Sequence, residues 1–308
     1  MADADANQRY RRGSPSGDQH SRGLMRPSTF SLALAATLIP AAAGAQQWRT
    51  IESARQLTST DPVKATVSFA GGKFELTPLP GKLLYQMQIH YDEQVADVVH
   101  QFDAGNHRLT LGMSQADMGW RALHAMKKEE GGSMTVGLNP AVPMDLELEL
   151  GGAEAEVELG GMRLKSLKLQ VGLAGSRVNF SSPNAITMDQ LSLDVGLGGV
   201  KFENLGNANA AQINISGGMD GISLDFGDRV MRDVRINADV AFGGLKIQVP
   251  SSAGVTVQAE TKLGSFKPQG FTKVNGAWFT PNWNEASTHV TIVANTALGG
   301  LEVNHVSP

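Results

Sequence analysis

Apolar and polar residues alternate along most of the chain after residue 144, and glycines interrupt the alternation at recurring points. Each unit begins with two or three alternating apolar residues, continues with a glycine that is usually paired, and ends with further alternating apolar residues. Such a unit predicts two short strands and two turns, repeated along the chain. Its glycines are separated by 19 to 36 residues and occupy positions 152, 175, 199, 218, 244, 264 and 300.

The alternation places the apolar side chains of each predicted strand on one face. Leu191, Leu193 and Val195 share a face, whereas Ser192 and Asp194 lie on the opposite one. Because one unit cannot bury its own apolar face, we expect successive units to stack with strands about 4.8 Å apart. Glycine allows the sharp bend between the two strands of a unit. The prediction is an all-β, solenoid-like stack, and an ordinary β-sandwich with glycine turns is the alternative.

The region from about residue 58 to residue 143 carries different strand signals. Alternating segments occur at 63–69 and 74–76, on either side of Gly71 and Gly72, and again at 83–91 and 108–111. Residues 115–130 do not alternate and are predicted to form a loop with one or two helical turns. We therefore predict a small, mostly β N-terminal domain that covers one end of the stack. An aromatic insertion at 267–287 is expected to cover the other end.

Several segments resemble a known family. The run from Phe242 to Pro250, followed by residues 254–257 and 263–266, is similar to the C-terminal domain of LiaF-type cell-wall stress-response proteins, whose β-solenoid-like fold is called a toast-rack. The closing segments 288–292 and 298–303 resemble the way such domains end. Residues 57–146, and above all Val142 to Leu146, look like the N-terminal domain that often precedes a toast-rack.

The resemblance implies both a domain division and a class of function. It predicts a toast-rack N-terminal domain at 57–144 and a LiaF-like toast-rack domain at 145–305. LiaF-type regulators carry transmembrane helices and act on a histidine kinase, whereas this chain shows only a leader segment. The family supplies no catalytic residues, so the resemblance implies a role in the cell envelope without implying an enzyme.

Residues 25–45 are typical of a secretory signal peptide. Arg26 supplies a positive start, residues 30–39 are apolar, and Pro40 precedes a small-residue cleavage site at 43–45. We expect cleavage after Ala45 and a secreted or periplasmic protein. Residues 1–24 are polar and are predicted to be disordered. The alternative is that the start codon has been assigned too far upstream and that Met25 is the true first residue. No later segment is apolar over the roughly 20 residues that a bilayer requires.

The balance of charge and the absence of cysteine narrow the possible functions. The chain has a net charge of −4. Removing residues 1–45 takes away five basic and three acidic residues and leaves a net charge of −6. This surplus disfavours nucleic acid as a partner, because binding it requires a basic surface. The chain contains no cysteine, which excludes disulfides and thiol chemistry.

Two clusters of polar residues are candidates for chemical sites. His100, Asp103 and His107 are the best candidates for metal ligands, but they lack the spacing of a known ligand motif, and solvated surface residues are the preferred interpretation. A run of alternating glutamates is compatible with paired carboxylates that cleave polysaccharides, or with a charged face that discourages edge pairing. We favour the charged face, and we predict no metal, cofactor or catalytic residue. The glutamates are Glu147, Glu149, Glu154, Glu156 and Glu158.

The aromatic insertion contains the best candidates for a binding surface. Trp278, Phe279 and Trp283 can contact a sugar ring or a protein partner, or they can seal the last unit of the stack. The sequence thus predicts an exported, non-enzymatic binding or structural module whose partner is an unknown protein or a cell-wall component. A polysaccharide-active β-helix enzyme is the alternative. Self-association through exposed end strands is a further possibility.

Overall fold

The computed structural model describes residues 47–94, 96–113, 132–173, 175–219, 221–266 and 268–306. All of these described residues belong to one structural unit. The predicted signal peptide, residues 1–24 and the loop predicted at 115–130 lie outside the described residues. The first ten strands are β1 (Trp48–Gln56), β2 (Val63–Pro78), β3 (Leu83–Asp92), β4 (Val98–Asp103), β5 (Arg108–Met113), β6 (Ser133–Leu138), β7 (Pro143–Glu158), β8 (Arg163–Val171), β9 (Ser176–Asn179) and β10 (Met188–Val195).

A short 3-10 helix, Leu205–Ala208, interrupts the later strands and is the one helical element in the described part of the chain. None of the helical structure there has the length and hydropathy needed to cross a bilayer. The remaining strands are β11 (Val200–Glu203), β12 (Ala210–Met219), β13 (Ile222–Asp225), β14 (Val234–Pro250), β15 (Gly254–Thr261), β16 (Ser265–Phe266), β17 (Thr272–Val274), β18 (Ala277–Phe279) and β19 (His289–Val306).

The repeating element of the fold is a rung made of two strand segments that meet at a glycine corner. Four rungs are single long strands that bend at the corner, namely β2, β7, β14 and β19. Five rungs use two shorter strands, namely β5 with β6, β8 with β9, β10 with β11, β12 with β13, and β15 with β16. The described residues therefore contain nine rungs, and neighbouring rungs pair in parallel.

The first segments of all rungs form one sheet, the first sheet, and the second segments form another, the second sheet. Both sheets turn their apolar positions toward a shared interior. In the first sheet, Leu191 pairs with Leu167 on one side and with Ile213 on the other, and all three are buried. Because successive rungs pair in register, each inward position becomes a column of apolar side chains. The predicted all-β, solenoid-like stack is confirmed.

The order of the rungs in space differs from their order along the chain. The rung β5–β6 follows β2 in sequence, yet β7 pairs with the opposite side of β2. At the other end, β19 lies between β14 and β15, although β15 comes first in the chain. The strand β19 therefore lies between two rungs formed by earlier parts of the sequence, and β2 lies between the rung β5–β6 and the later strand β7.

Asparagines hold the corners where the chain returns from the second sheet to the first. The side-chain oxygen of Asn184 accepts a hydrogen bond from the Leu164 amide at 2.8 Å, and its nitrogen donates to the carbonyls of Leu164 and Ile186. The side-chain nitrogen of Asn207 donates a hydrogen bond to the Phe180 carbonyl at 2.9 Å. These side chains satisfy backbone groups that leave the strand ladders, which would otherwise be buried without partners.

Antiparallel strands cover the ends of the stack. At the end that begins with β5 and β6, β4 pairs with β5, and β3 pairs with β6 and with β1. At the opposite end, β18 pairs with β15 and with β17. Of the predicted N-terminal strands, 63–76 lies in β2, 83–91 in β3 and 108–111 in β5. The predicted domain boundary at residue 144 falls inside β7, which pairs with β2 along most of its length.

Candidate functional site

Outward-facing polar residues form columns across the first sheet, one residue from each rung. Glu147 lies beside Lys168, and the carboxylate accepts a hydrogen bond from the ammonium group at 2.8 Å. This hydrogen bond raises the pKa of the Lys168 side chain above its ordinary value. Farther along the same column, the side-chain nitrogen of Asn237 donates a hydrogen bond to the side-chain oxygen of Asn214 at 3.0 Å. Polar groups of neighbouring rungs are thus joined at two places along this column.

The predicted run of glutamates is divided between the two sheets. Because β7 bends at its glycine corner, Glu147 and Glu149 lie on the first sheet, whereas Glu154, Glu156 and Glu158 lie on the second. Arg177 donates to Glu156 at 3.1 Å across the rung boundary. Glu158 accepts hydrogen bonds from Asn179 and from the Gly160 amide. Several of these carboxylates therefore serve as partners within the stack, as expected of a charged outer face.

The three residues considered as metal ligands occupy β4 and the turn that follows it. His100 lies on β4 and shares a hydrogen bond with Ser53 at 3.3 Å. Asp103 accepts hydrogen bonds from the amides of Gly105 and Asn106 and from the Asn106 side chain. His107 closes the turn with a φ of 48°. Within the described ranges, no three His, Asp or Glu residues are grouped as metal ligands would be.

The hydrogen bond from the Asn106 side chain is the main cause of the lowered pKa of the Asp103 carboxyl group. We expect Asn106→Ala to raise this pKa toward its ordinary value of 3.8, as measured by NMR titration of the carboxyl carbon. The pKa of Asp103 is lower in the folded state than in the unfolded chain, so this interaction stabilises the fold at pH values above the unfolded-state pKa. Its contribution disappears as the pH falls through the folded-state pKa.

Asn304→Ala is the matched control, because Asn304 is the main hydrogen-bond donor that lowers the pKa of Glu302. The control variant is expected to shift the pKa of Glu302 and leave that of Asp103 unchanged. An unaltered Asp103 pKa in Asn106→Ala would contradict the proposed cause.

The aromatic residues of the insertion lie at the end of the stack, where the hairpin β17–β18 covers β15. Trp278 is partly buried against the core, and its ring meets Phe266 edge to face at 6.1 Å between centroids. The ammonium group of Lys273 lies 5.3 Å from the centre of the Trp278 ring. One face of Trp278 therefore packs against the last rung, and its role as a binding surface stays a prediction.

Phe279 and Trp283 form a second contact on the same hairpin and the loop that follows. Their ring centroids are 5.5 Å apart, and Trp283 also lies 4.6 Å from the His289 ring. The His289 ring shares a hydrogen bond of 2.9 Å with the Trp283 carbonyl oxygen. Trp278, Phe279 and Trp283 all remain half-buried. We refer to these three residues as the aromatic patch.

Two-segment rungs, bent at glycine and stacked in parallel register, define a β-solenoid-like protein of the toast-rack type. The chain belongs to the toast-rack family, since the family model described as the N-terminal domain of toast_rack, DUF2154, matches residues 43–203, more than half of its 308 residues. The predicted family is thereby confirmed. The matched range extends from the residues before β1 to the end of β11. The LiaF-like character of residues 145–305 stays a prediction.

Solved structures with a similar trace include a proposed cell adhesion protein from Clostridium sporogenes, at 15% identity and a TM-score of 0.43, covering 84% of this chain and 100% of that one. A proposed adhesin from Bacteroides fragilis matches at 11% identity and a TM-score of 0.39, over 84% and 98% of the two chains. A proposed lipid-binding protein from Parabacteroides distasonis matches at 10% identity and a TM-score of 0.31, over 85% of this chain and 98% of that one. These likenesses are too distant to carry an argument. No curated protein matches the sequence.

Proposed function

We propose that this protein is an exported, non-enzymatic module of the cell envelope that binds a protein or a cell-wall component. Export follows from the signal peptide predicted at residues 25–45, and the envelope role follows from the resemblance to LiaF-type proteins. An adaptor role or a role in the response to envelope stress is the finer form of the proposal. The partner engages the outside of the stack, because apolar side chains fill its interior.

The observation that carries the proposal is the pairing of charged groups across neighbouring rungs. Glu147 pairs with Lys168, Glu156 with Arg177, and Lys246 with Glu302. Each pair lies on the exposed outer face, where ion pairs contribute little to stability and stay hydrated. A general acid or base is commonly recognised by burial that shifts its pKa, whereas hydrogen-bonded surface neighbours account for the shifts at Lys168 and Glu302. This arrangement favours a binding surface over a hydrolase.

The aromatic patch is the proposed contact for the partner. Trp278, Phe279 and Trp283 keep part of their surface accessible while their mutual contacts hold the rings in place. Rings that are fixed before binding lose little conformational entropy when they stack on a sugar or fill a pocket on a protein. The Trp283 and His289 contacts anchor the patch to the first residue of β19.

Binding is tested by sedimentation of the purified protein with isolated cell-wall sacculi and with envelope protein fractions. We expect the double substitution Phe279→Ala and Trp283→Ala to weaken binding roughly tenfold or more, since aromatic residues commonly dominate such contacts. Trp48→Ala is the matched control, because Trp48 is also half-buried but lies on β1 at the opposite end of the stack, stacked on His90 at 4.8 Å.

A parallel assay with cell-wall and plant glycans examines turnover. Hydrolysis or elimination that disappears with Glu156→Gln would overturn the proposal in favour of a polysaccharide-active enzyme. Binding that the aromatic substitutions leave unchanged, with folding confirmed by circular dichroism, would place the contact elsewhere on the stack.

A further inference from the structure

Exposed apolar side chains line one edge of the stack. Seven large apolar side chains in the described residues are exposed, and five of them occupy the same place in five different rungs, at the glycine corner. Met219 is 54% exposed and Leu263 is 75% exposed. Leu173 holds the same position in a sixth rung and is half-buried. We call these six side chains the apolar ridge: in spatial order, Leu173, Leu197, Met219, Phe242, Leu298 and Leu263.

Backbone pairing fixes the alignment of the ridge. Met219 pairs with Phe242, which pairs in turn with Leu298. The amide of Leu197 donates to the Gly172 carbonyl and the amide of Leu263 to the Ala297 carbonyl, which brings the outer members into the same column. With a rise of about 4.8 Å per rung, the ridge is roughly 24 Å long. A straight, exposed apolar column of this length is typical of an interaction surface.

Grooves with glycine in their walls flank the ridge. On the first sheet, a groove of about 580 Å³ is lined by Gly151, Gly172 and Gly196. On the second sheet, a groove of about 560 Å³ is lined by Gly221, Gly244 and Gly300. Because glycine carries no side chain, an apolar ridge from another molecule can enter such a groove and approach the backbone.

The two sides of the ridge carry different charges. In each rung, the flanking residue on the first sheet lies three positions before the ridge residue, and the flanking residue on the second sheet lies four positions after it. The first column contains Asp194 and Asp239, and the second column contains Lys201 and Lys246 in the same two rungs. In three further rungs, Gln170 faces Arg177, Ser216 faces Ser223 and Asn295 faces Glu302 across the ridge.

We propose that the apolar ridge binds a second copy of this chain, related by a two-fold axis parallel to the ridge. The second copy has the same rise per rung, so its ridge residues stay in step over all six rungs. This axis sets Asp194 opposite Lys201 of the second copy and Asp239 opposite Lys246 of the second copy. A two-fold axis perpendicular to the ridge would instead place each column against itself, so Asp194 and Asp239 would meet no lysine of the second copy. The dimer is thus parallel and isologous.

The acidic column on one flank of the ridge is unfavourable beside a lipid surface, whereas a second copy pairs it with the basic column of the other flank. Asp194, Asp239 and Glu260 belong to the column beside the ridge on the first sheet. Envelope membranes that carry anionic lipids attract lysine and arginine next to an inserted apolar segment and repel carboxylates. The ridge also differs from the predicted end-to-end association, because antiparallel strands cover both ends of the first sheet.

The first experiment measures the oligomeric state of the full chain by sedimentation velocity over roughly 1–200 μM, a range suited to a small interface. The wild type is expected to shift from monomer to dimer across this range. The double variant Met219→Gln, Phe242→Gln is expected to raise the dimer dissociation constant about tenfold or more. The matched control is Met231→Gln, Val274→Gln, because these side chains are 42% and 50% exposed but lie off the ridge. The control is expected to dimerise as the wild type does.

The second experiment tests the symmetry by exchanging charges. Asp239→Lys alone places two lysines opposite each other, and Lys246→Asp alone places two aspartates opposite each other, so each variant is expected to weaken dimerisation about tenfold. A mixture of the two variants restores opposite charges at both contacts. The mixture is therefore expected to dimerise within about threefold of the wild type. A perpendicular two-fold axis predicts no such recovery.

Dimerisation that the ridge substitutions weaken and the mixed charge variants restore would support the proposal. A strict monomer over the whole range, or a dimer that the ridge substitutions leave intact, would overturn it. Flotation of the monomeric protein with vesicles of phosphatidylethanolamine and phosphatidylglycerol, lost in the ridge variant, would overturn it in favour of a membrane surface. Because the aromatic patch is unchanged in all of these variants, their outcome is independent of the partner binding proposed above.

Discussion

Gly112→Ala is expected to lower the free energy of unfolding by about 3–5 kcal/mol, through both backbone strain and overpacking. Gly112 has a φ of 107°, a conformation that residues with a side chain rarely adopt. A Cβ atom at this position would lie 2.0 Å from the carbonyl oxygen of Ser68. That carbonyl belongs to β2, which is paired on both sides, so it has little freedom to move away.

Urea denaturation followed by circular dichroism measures the loss. Gly244→Ala is the matched control, because Gly244 also lies in a stacked strand but has nothing within 4 Å of an added Cβ. The control is expected to change stability by less than about 0.5 kcal/mol. Equal midpoints for the two variants would mean that β5 can shift away from β2 at low cost, contrary to the close approach described above.

Phe202→Ala is expected to destabilise the protein by about 3–5 kcal/mol. Phe202 is fully buried on β11, in an inner rung of the stack. It pairs with Val178 of β9 on one side and with Leu224 of β13 on the other, and both neighbours are also buried. Removing the ring leaves a cavity between two rungs that depend on it, so little of the lost contact area can be recovered by collapse.

Lys201→Ala on the preceding residue is the control, measured by the same denaturation experiment. Its side chain points outward and forms an exposed ion pair with Glu203, so the expected loss is less than about 1 kcal/mol. If the two substitutions had similar effects, the interior of the stack would contribute far less to stability than the burial of Phe202 indicates.

The rung itself was predictable from local sequence. Alternation in the segment Leu191 to Val195 identified the inward positions, and the structure buries Leu191, Leu193 and Val195 while Asp194 is exposed. The glycines marked the corners because few other residues allow the bend. The hydrogen bonds by which Asn184 and Asn207 hold the corners reach distant carbonyls, so a local pattern does not reveal them.

The surface was harder to predict, because a bend changes which residues share a face. The glutamates of β7 alternate as one stripe in sequence, yet the corner at Gly151 and Gly152 divides them between two sheets. The apolar ridge was missed because Leu197 and its counterparts were interpreted as part of the glycine turns. The spacing of an aspartate, an apolar residue three positions later and a lysine four positions after that, found at 194–201 and again at 239–246, was the signal that could have revealed it.

By itself, the sequence determined that this chain forms glycine-bent strands whose apolar faces require neighbours above and below, because alternation and turn chemistry act over a few residues. Only the tertiary structure decided which rungs became neighbours. The insertion of β7 beside β2 and of β19 between β14 and β15 depends on contacts between distant segments. Since any apolar strand face can cover any other of similar shape, local pattern carries no information about that choice, and competition among whole arrangements for the best-packed interior settles it.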